Sequence, residues 1–244
     1  MKFNEFQIKL FMMILMVLDH LSMIPGFLPF ELIAIFHLIT RPVAVWFAYT
    51  LVEGFFHTHD RYNYCKRLFL FALFVFAGDF LFTFLYASKG ILIINNIILA
   101  LAFSCLMLIL FFDDSEKTLK LPRPIRIIGG LLSFILCTLF AEGSFIVPTL
   151  ALIFYYYRSN PLKRNIWLFG LSIFMFIPSF TLYTEGIINI YGLLAGEWFY
   201  FSIIPFISMY NGERGPNTKF TKYLFYIFYP AHIWIIATIA FLVS

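Results

Sequence analysis

Nine apolar runs joined by short connections make up almost the whole of this chain, at about residues 6–24, 32–56, 68–86, 91–112, 125–140, 145–157, 166–183, 187–210 and 223–243. Roughly 20 consecutive apolar residues are enough for a helix to cross the hydrocarbon core of a bilayer. The pattern therefore predicts an all-α fold: a polytopic membrane helical bundle of about nine transmembrane helices. Composition agrees, because 62% of the 244 residues are hydrophobic and only 12% are charged. Average soluble domains carry about 25% charge, so a water-soluble enzyme is excluded. The fifth and sixth runs are short and meet at Ala141-Glu142-Gly143-Ser144, which leaves a re-entrant pair as the alternative. Within the second run, Arg41-Pro42 interrupts the ladder, since proline lacks an N–H and disfavours helix at the residue before it. A short helix over 31–39 and a span beginning at Pro42 are expected. The first run carries Lys9, Asp19 and His20 and lacks an A-x-A-like cleavage site, so it reads as a retained helix rather than a signal peptide.

The basic residues alternate with the runs. Lys2 and Lys9 stand at the start of the first; Arg61, Lys66 and Arg67 follow the second; Lys117, Lys120, Arg123 and Arg126 follow the fourth. Arg158, Lys163 and Arg164 follow the sixth, and Arg214, Lys219 and Lys222 follow the eighth, whereas the other connections hold Lys89 with Glu31, Glu142 and Glu185. By the positive-inside rule the N-terminus is cytoplasmic and the C-terminus lies outside. The net charge of +4 is thus spent on topology and does not point to nucleic acid. We read 1–244 as a single transmembrane domain with a mixed-charge cytoplasmic linker at about 113–124. Cys65, Cys105 and Cys137 form no C-x-x-C and no zinc-ligand spacing with histidine, so they read as small buried hydrophobes and no metal is expected.

Polar side chains inside the runs carry the functional signal. A charge near the bilayer centre costs about 2.5–3.5 kcal/mol on insertion scales, so such residues face partners or a polar cavity. At about 1.5 Å per residue, His20, Arg41, Asp79, Glu197 and His232 all fall within one or two turns of the midplane. We expect one polar cavity there, with a structural network that locks helices together as the alternative. Asp19 and His20 are adjacent and do not share a helix face. His20 is expected to face the cavity while Asp19 pairs with a neighbouring helix, Arg41 being the partner. His37, on the short helix, reads as a packing or interfacial residue. His57 and His59, with Thr58, Asp60 and Arg61, either meet a phosphate-bearing ligand or anchor the span.

Three motifs resemble a known family. Leu15-Met16-Val17-Leu18-Asp19-His20 is similar to the first-span signature of the pilin N-acetylation proteins, the TraX family. Leu51-Val52-Glu53-Gly54-Phe55, with His57-Thr58, Arg61, Tyr64 and Arg67-Leu68, resembles its stretch after the second span. Tyr226-Ile227-Phe228-Tyr229-Pro230-Ala231-His232 resembles its C-terminal signature, and Glu142-Gly143 sits where the family tends to carry an acidic-Gly turn. The chain departs from the pattern at Thr40-Arg41, usually Gly-Arg, and at Val45, where the family usually has proline.

The resemblance implies a multi-pass acetyltransferase of the bacterial cytoplasmic membrane. Acetyl-CoA is the implied donor, and the implied acceptor is an amine or hydroxyl of a surface protein or glycan. On that reading His20 is the general base, Arg41 stabilises the oxyanion or holds a CoA phosphate, and Asp19 fixes its neighbours. His232 orients or binds substrate, and acetyl-CoA arrives past Glu53, His57, Arg61 and Arg67. Asp79 and Glu197 complete the polar lining. A multi-pass transporter with an intramembrane polar site, or a non-catalytic assembly factor, are the alternatives.

Overall fold

The computed structural model describes residues 2–94, 96–115, 120–216 and 218–244. The centre of the expected linker, 116–119, therefore lies outside the described residues. Among those described, the regular structure is helical, with an isolated bridge between Phe3 and Tyr210. The α-helices are α1 Glu5–His20, α2 Phe30–Thr40, α3 Pro42–His57, α4 Arg61–Tyr86, α5 Ile97–Phe112, α6 Arg123–Phe140, α7 Ile146–Tyr156, α8 Pro161–Thr184, α9 Ile190–Leu194, α10 Ile204–Met209 and α11 Lys219–Val243.

Among the described residues, six segments are long and apolar enough to cross a membrane: Glu5–Met23, Phe30–His57, Arg61–Lys89, Arg123–Phe140, Pro161–Thr184 and Tyr223–Val243. Their outward faces carry large apolar groups, among them Leu73 at 64%, Phe84 at 72% and Phe174 at 60% exposure. Contiguous apolar surface of that kind suits lipid rather than water.

The remaining three runs do not form helices of spanning length. α5 has 16 residues and begins only after the Asn96 N-cap, which accepts from Leu99 N. α7 has 11 residues, and at 1.5 Å per residue it reaches about half the roughly 30 Å core. The eighth run, 187–210, is broken into α9, a 3-10 turn Phe199–Ile203 and α10. Gly192 and Gly196 lower helix propensity there, and Pro205 sits in the first turn of α10, where it lacks an N–H to continue the preceding turn. Hydropathy counts apolar side chains and does not register such breaks. At Arg41-Pro42 the break lies where it was expected, with Arg41 as the C-cap of α2 and Pro42 opening α3.

The chain forms two compact units. The first comprises Met1–Trp46, Phe80–Ile93 and Asn165–Ser244; the second comprises Phe47–Asp79 and Ile94–Arg164.

In the first unit, α1 packs against α2 and α11. Its start is held by a capping box, in which Asn4 Oδ1 accepts from Gln7 N at 2.9 Å and Gln7 Oε1 accepts from Asn4 N at 3.0 Å. The residues before it are tied to the segment after α10 by Phe3 N to Met209 O, Asn211 N to Phe3 O and Glu5 N to Glu213 O. Gly215 closes that corner at φ +83°, and a Cβ there would meet Asn4 Oδ1 at 2.8 Å. Met12, Met16, Tyr229, Ile233 and Ala237 are buried in this unit. The end of α1 is thereby fixed relative to α2 and α11, and the polar cluster sits there.

In the second unit, α5 packs closely against α6 through small groups on α6. Gly130, Ser133 and Cys137 repeat at helical spacing and are all buried. Ser133 Oγ donates to Phe103 O at 2.8 Å, and Cys137 Sγ lies 3.8 Å from Ala100 O. Small residues let two backbones approach where lipid supplies no hydrophobic drive. A Cβ at Gly130 would stand 2.1 Å from Phe111 Cε1. Gly130→Ala is therefore expected to destabilise the protein by about 1–3 kcal/mol, the usual cost of overpacking, read as a lowered midpoint of thermal unfolding in detergent.

Candidate functional site

Asp19 is the penultimate residue of α1. A carboxylate is disfavoured at a helix C-terminus, so its charge must be met by donors from another element. α2 supplies them. His37, Thr40 and Arg41 stand at i, i+3 and i+4 and share a face. His37 Nδ1 lies 2.9 Å, Thr40 Oγ1 2.6 Å and Arg41 NH2 3.1 Å from the same Asp19 Oδ1. Arg41 also donates from Nε to the His37 carbonyl at 2.7 Å, which caps the end of α2, and from NH1 to Glu197 Oε1. Glu197 Oε2 accepts from the Tyr200 hydroxyl at 3.0 Å. One guanidinium thus joins the end of α1, the end of α2 and the turn before the 3-10 segment. Thr40 and Tyr200 are each 3% exposed, whereas the Glu197 side chain is 56% exposed.

One residue further along α1 the chemistry changes. The rings of His20 and His232 lie 5.0 Å apart, nearly perpendicular at 83°. His20 Nδ1 is 2.8 Å from Met16 O, and His232 Nδ1 is 3.0 Å from Phe228 O. A carbonyl can only accept, so in each ring the proton sits on Nδ1 and Nε2 carries the lone pair. The helix carbonyl one turn back sets both tautomers. Phe228 stacks on His232 at 4.9 Å and 9°, fixing that ring's plane. Both histidines are buried, and among the described residues His232 Nε2 has no hydrogen-bond partner. A buried acceptor without a donor costs about 1–3 kcal/mol.

Of the five residues assigned to one midplane cavity, His20, Arg41, Glu197 and His232 belong to the first unit. Asp79 is buried in the second unit at 4% exposure. The loop residues assigned to the donor are also in the second unit, where Glu53, His57 and Arg61 have internal partners. Glu53 takes a two-pronged contact from Arg158, Nε at 2.9 Å and NH2 at 3.0 Å, and this pairing raises the Arg158 pKa above its ordinary value. Arg61 pairs with the buried Asp113 and donates to Phe55 O at 3.1 Å. His57 Nδ1 donates to Glu53 O at 2.7 Å and its side chain is 70% exposed; Arg67 is exposed as well.

The reading from the chain alone undervalued His37 and did not assign Thr40, Tyr200, Arg158 or Asp113. The first two carried a usable signal, because positions 37, 40 and 41 share a helix face and Arg41 was already paired with Asp19. Tyr200 at i+3 from Glu197 carried a weaker one. Arg158 and Asp113 are remote in sequence from their partners and carried none.

The arrangement can accept protons at two buried imidazole nitrogens and holds a charged network one residue away. The family model described as TraX protein matches residues 5–240. A probable fimbrial assembly protein, FimC of serogroup H1, from Dichelobacter nodosus, is 28% identical over 252 residues, covering 95% of this chain and 93% of that protein. No solved structure matches significantly.

Proposed function

The chain belongs to the TraX family, and from that premise we propose that it is a membrane-embedded acetyltransferase. It moves an acetyl group from acetyl-CoA to an amine or hydroxyl of a surface acceptor, with a pilin-like N-terminus as one instance. The observation that carries this reading is the buried His20–His232 pair, both rings held in the tautomer that leaves Nε2 basic and one Nε2 lacking a donor. His20 Nε2 takes the proton from the acceptor N–H or O–H as that atom attacks the thioester carbonyl. The C–S bond then breaks and the CoA thiolate leaves. His232 Nε2 accepts a hydrogen bond from the substrate and orients it. Arg41 donates to Glu197, Asp19 and the His37 carbonyl. This supports assigning it to holding α1 and α2 in register around the histidines rather than to the oxyanion.

The basic connections support a cytoplasmic N-terminus in a bacterial cytoplasmic membrane, and a cytoplasmic donor passing the side of His57, Arg61 and Arg67. A second reading, a non-catalytic assembly factor, is favoured by the name of the Dichelobacter relative. Acetyl-CoA binding separates the two. The purified protein in lipid nanodiscs is expected to bind acetyl-CoA, and mass spectrometry of surface proteins and glycans to show an acetyl increment that disappears with the gene. Absence of acetyl-CoA binding removes the acetyltransferase reading and leaves the assembly factor.

A further inference from the structure

The face of α11 that carries Phe228 is grooved. A cavity of about 470 Å³ runs from Lys219 past Tyr223, Leu224, Ile227 and Phe228 to Ala231, a volume in the range of small-ligand sites. These residues recur at three- and four-residue spacing, so they form one stripe of the helix, and all belong to the first unit. The groove opens sideways, since Phe220, Tyr223 and Ile227 are 69%, 59% and 66% exposed. Its wall is hydrocarbon in character. The Lys219 ammonium and the Tyr223 hydroxyl are the polar side-chain groups of the lining, and both stand at one end.

Depth and polarity together decide what fits. Lys219 lies four residues before the spanning segment Tyr223–Val243, and Ala231 lies eight residues inside it. At 1.5 Å per residue the groove is about 18 Å long and ends about 12 Å into the span, near the middle of a core about 30 Å thick. It therefore starts at headgroup level and stops near the midplane, which is the reach of an acyl chain in one leaflet. A peptide or a pantetheine arm laid there would bury amides against groups that offer them no hydrogen bond, which is unfavourable. An acyl chain has no such groups to satisfy, and it supplies the dispersion contacts that an empty groove forgoes. The charged end adds a preference of its own. A lysine at headgroup level lays its stem on apolar surface and attracts anionic lipid.

We propose that this groove is a site for an anionic phospholipid, with one acyl chain lying along α11 from Tyr223 to Ala231 and the headgroup phosphate on Lys219. The inner part of the chain meets Phe228, whose ring stacks on His232 at 4.9 Å and 9°. The lipid thus packs one ring away from the buried imidazole pair. The site is independent of the acetyltransferase reading.

The full-length protein is tested in phosphatidylcholine nanodiscs holding a small fraction of phosphatidylglycerol with a diazirine in its acyl chain. After irradiation, peptide mass spectrometry is expected to place the main adduct within 220–231. Unlabelled phosphatidylglycerol is expected to compete roughly fivefold better than phosphatidylcholine, the contribution of one lysine near an anionic surface. Lys219→Gln should abolish that preference, and Ala231→Phe, which fills the inner end, should remove most of the adduct. Neither side chain is buried, and circular dichroism checks that both variants fold. Adducts spread as densely over the exposed apolar faces around Leu73, Leu131 and Phe174 overturn the proposal. So does a phosphatidylglycerol preference that Lys219→Gln leaves intact. Protection of the groove by acetyl-CoA or by an acceptor peptide, with no competition from phosphatidylglycerol, gives it to a substrate and also overturns the lipid site. An unlabelled groove in a protein that native mass spectrometry finds dimeric gives it to a second copy, with the same result. Groove-confined, Lys219-dependent labelling in a protein that binds no acetyl-CoA leaves the site standing and removes only the acetyltransferase reading.

Discussion

His20→Ala is expected to lower acetyl transfer by roughly 10²–10⁴-fold, the contribution of a positioned general base, with the protein still folded. The ring it removes is buried against His232 and donates to Met16 O within its own helix. The helix ladder therefore does not depend on it. His232→Phe is the matching change on α11. A phenyl ring can occupy the same plane against Phe228 while lacking Nε2, so loss of activity there reports the nitrogen rather than the packing. If both imidazoles act on the same proton, the two substitutions together cost little more than either alone, as groups that act as a unit do. Turnover is read with isotopically labelled acetyl-CoA, alongside gel filtration and far-ultraviolet circular dichroism. Wild-type turnover in a folded His20→Ala protein ends its assignment as the base.

The largest effect on stability is expected at Arg41. Arg41→Ala removes the cation that Asp19 and Glu197 share and leaves the Asp19 carboxylate to His37 and Thr40 alone. Breaking a fully buried ion pair from one side costs about 3–5 kcal/mol; the Arg41 and Asp19 side chains are 11% and 26% exposed, so the cost here falls below that range, and most of it belongs to Asp19. The Glu197 side chain is 56% exposed, and ion pairs in water contribute only about 0–1 kcal/mol. Arg41→Lys should recover little, because an ammonium cannot reach three acceptors in the directions the guanidinium fork does. Arg41→Met combined with Asp19→Asn should recover a large part, since no buried charge is then unbalanced. Thermal unfolding in detergent checks all three. A double variant no more stable than Arg41→Ala alone contradicts the charge-balance argument.

The elements differ in how plainly the chain announced them. The break at Arg41-Pro42 was legible because proline acts locally, through its own missing N–H and the residue before it. The pairing of Asp19 with Arg41 was legible because two opposite charges at one depth in hydrocarbon have few ways to be satisfied. The eighth apolar run was misleading, because Gly196, after the short helix, and Pro205, at the start of the next, mark breaks that mean hydropathy does not register. Asp79 was assigned to the same level as the histidines from its distance along α4. Depth along a helix carries no information about which unit a side chain joins, and Asp79 is buried in the second. Glu53 and Arg61 were read as part of the donor's path; their partners Arg158 and Asp113 are remote in sequence, and only the folded chain brings them together.

By itself the amino-acid order determined that this protein is a helical membrane protein of the TraX type, with Asp19, His20, Arg41 and His232 as ionisable residues inside its apolar runs. Those facts follow from solvent: hydrocarbon admits few ionisable groups, so the ones present stand out against the apolar background. What only the tertiary structure decided is the direction in which each lone pair points. The Met16 and Phe228 carbonyls set the tautomers of His20 and His232, and the face shared by His37, Thr40 and Arg41 closes on one Asp19 oxygen. Hydrogen bonds are short and directional, so their partners are fixed by helix rotation and packing, which hydropathy does not encode.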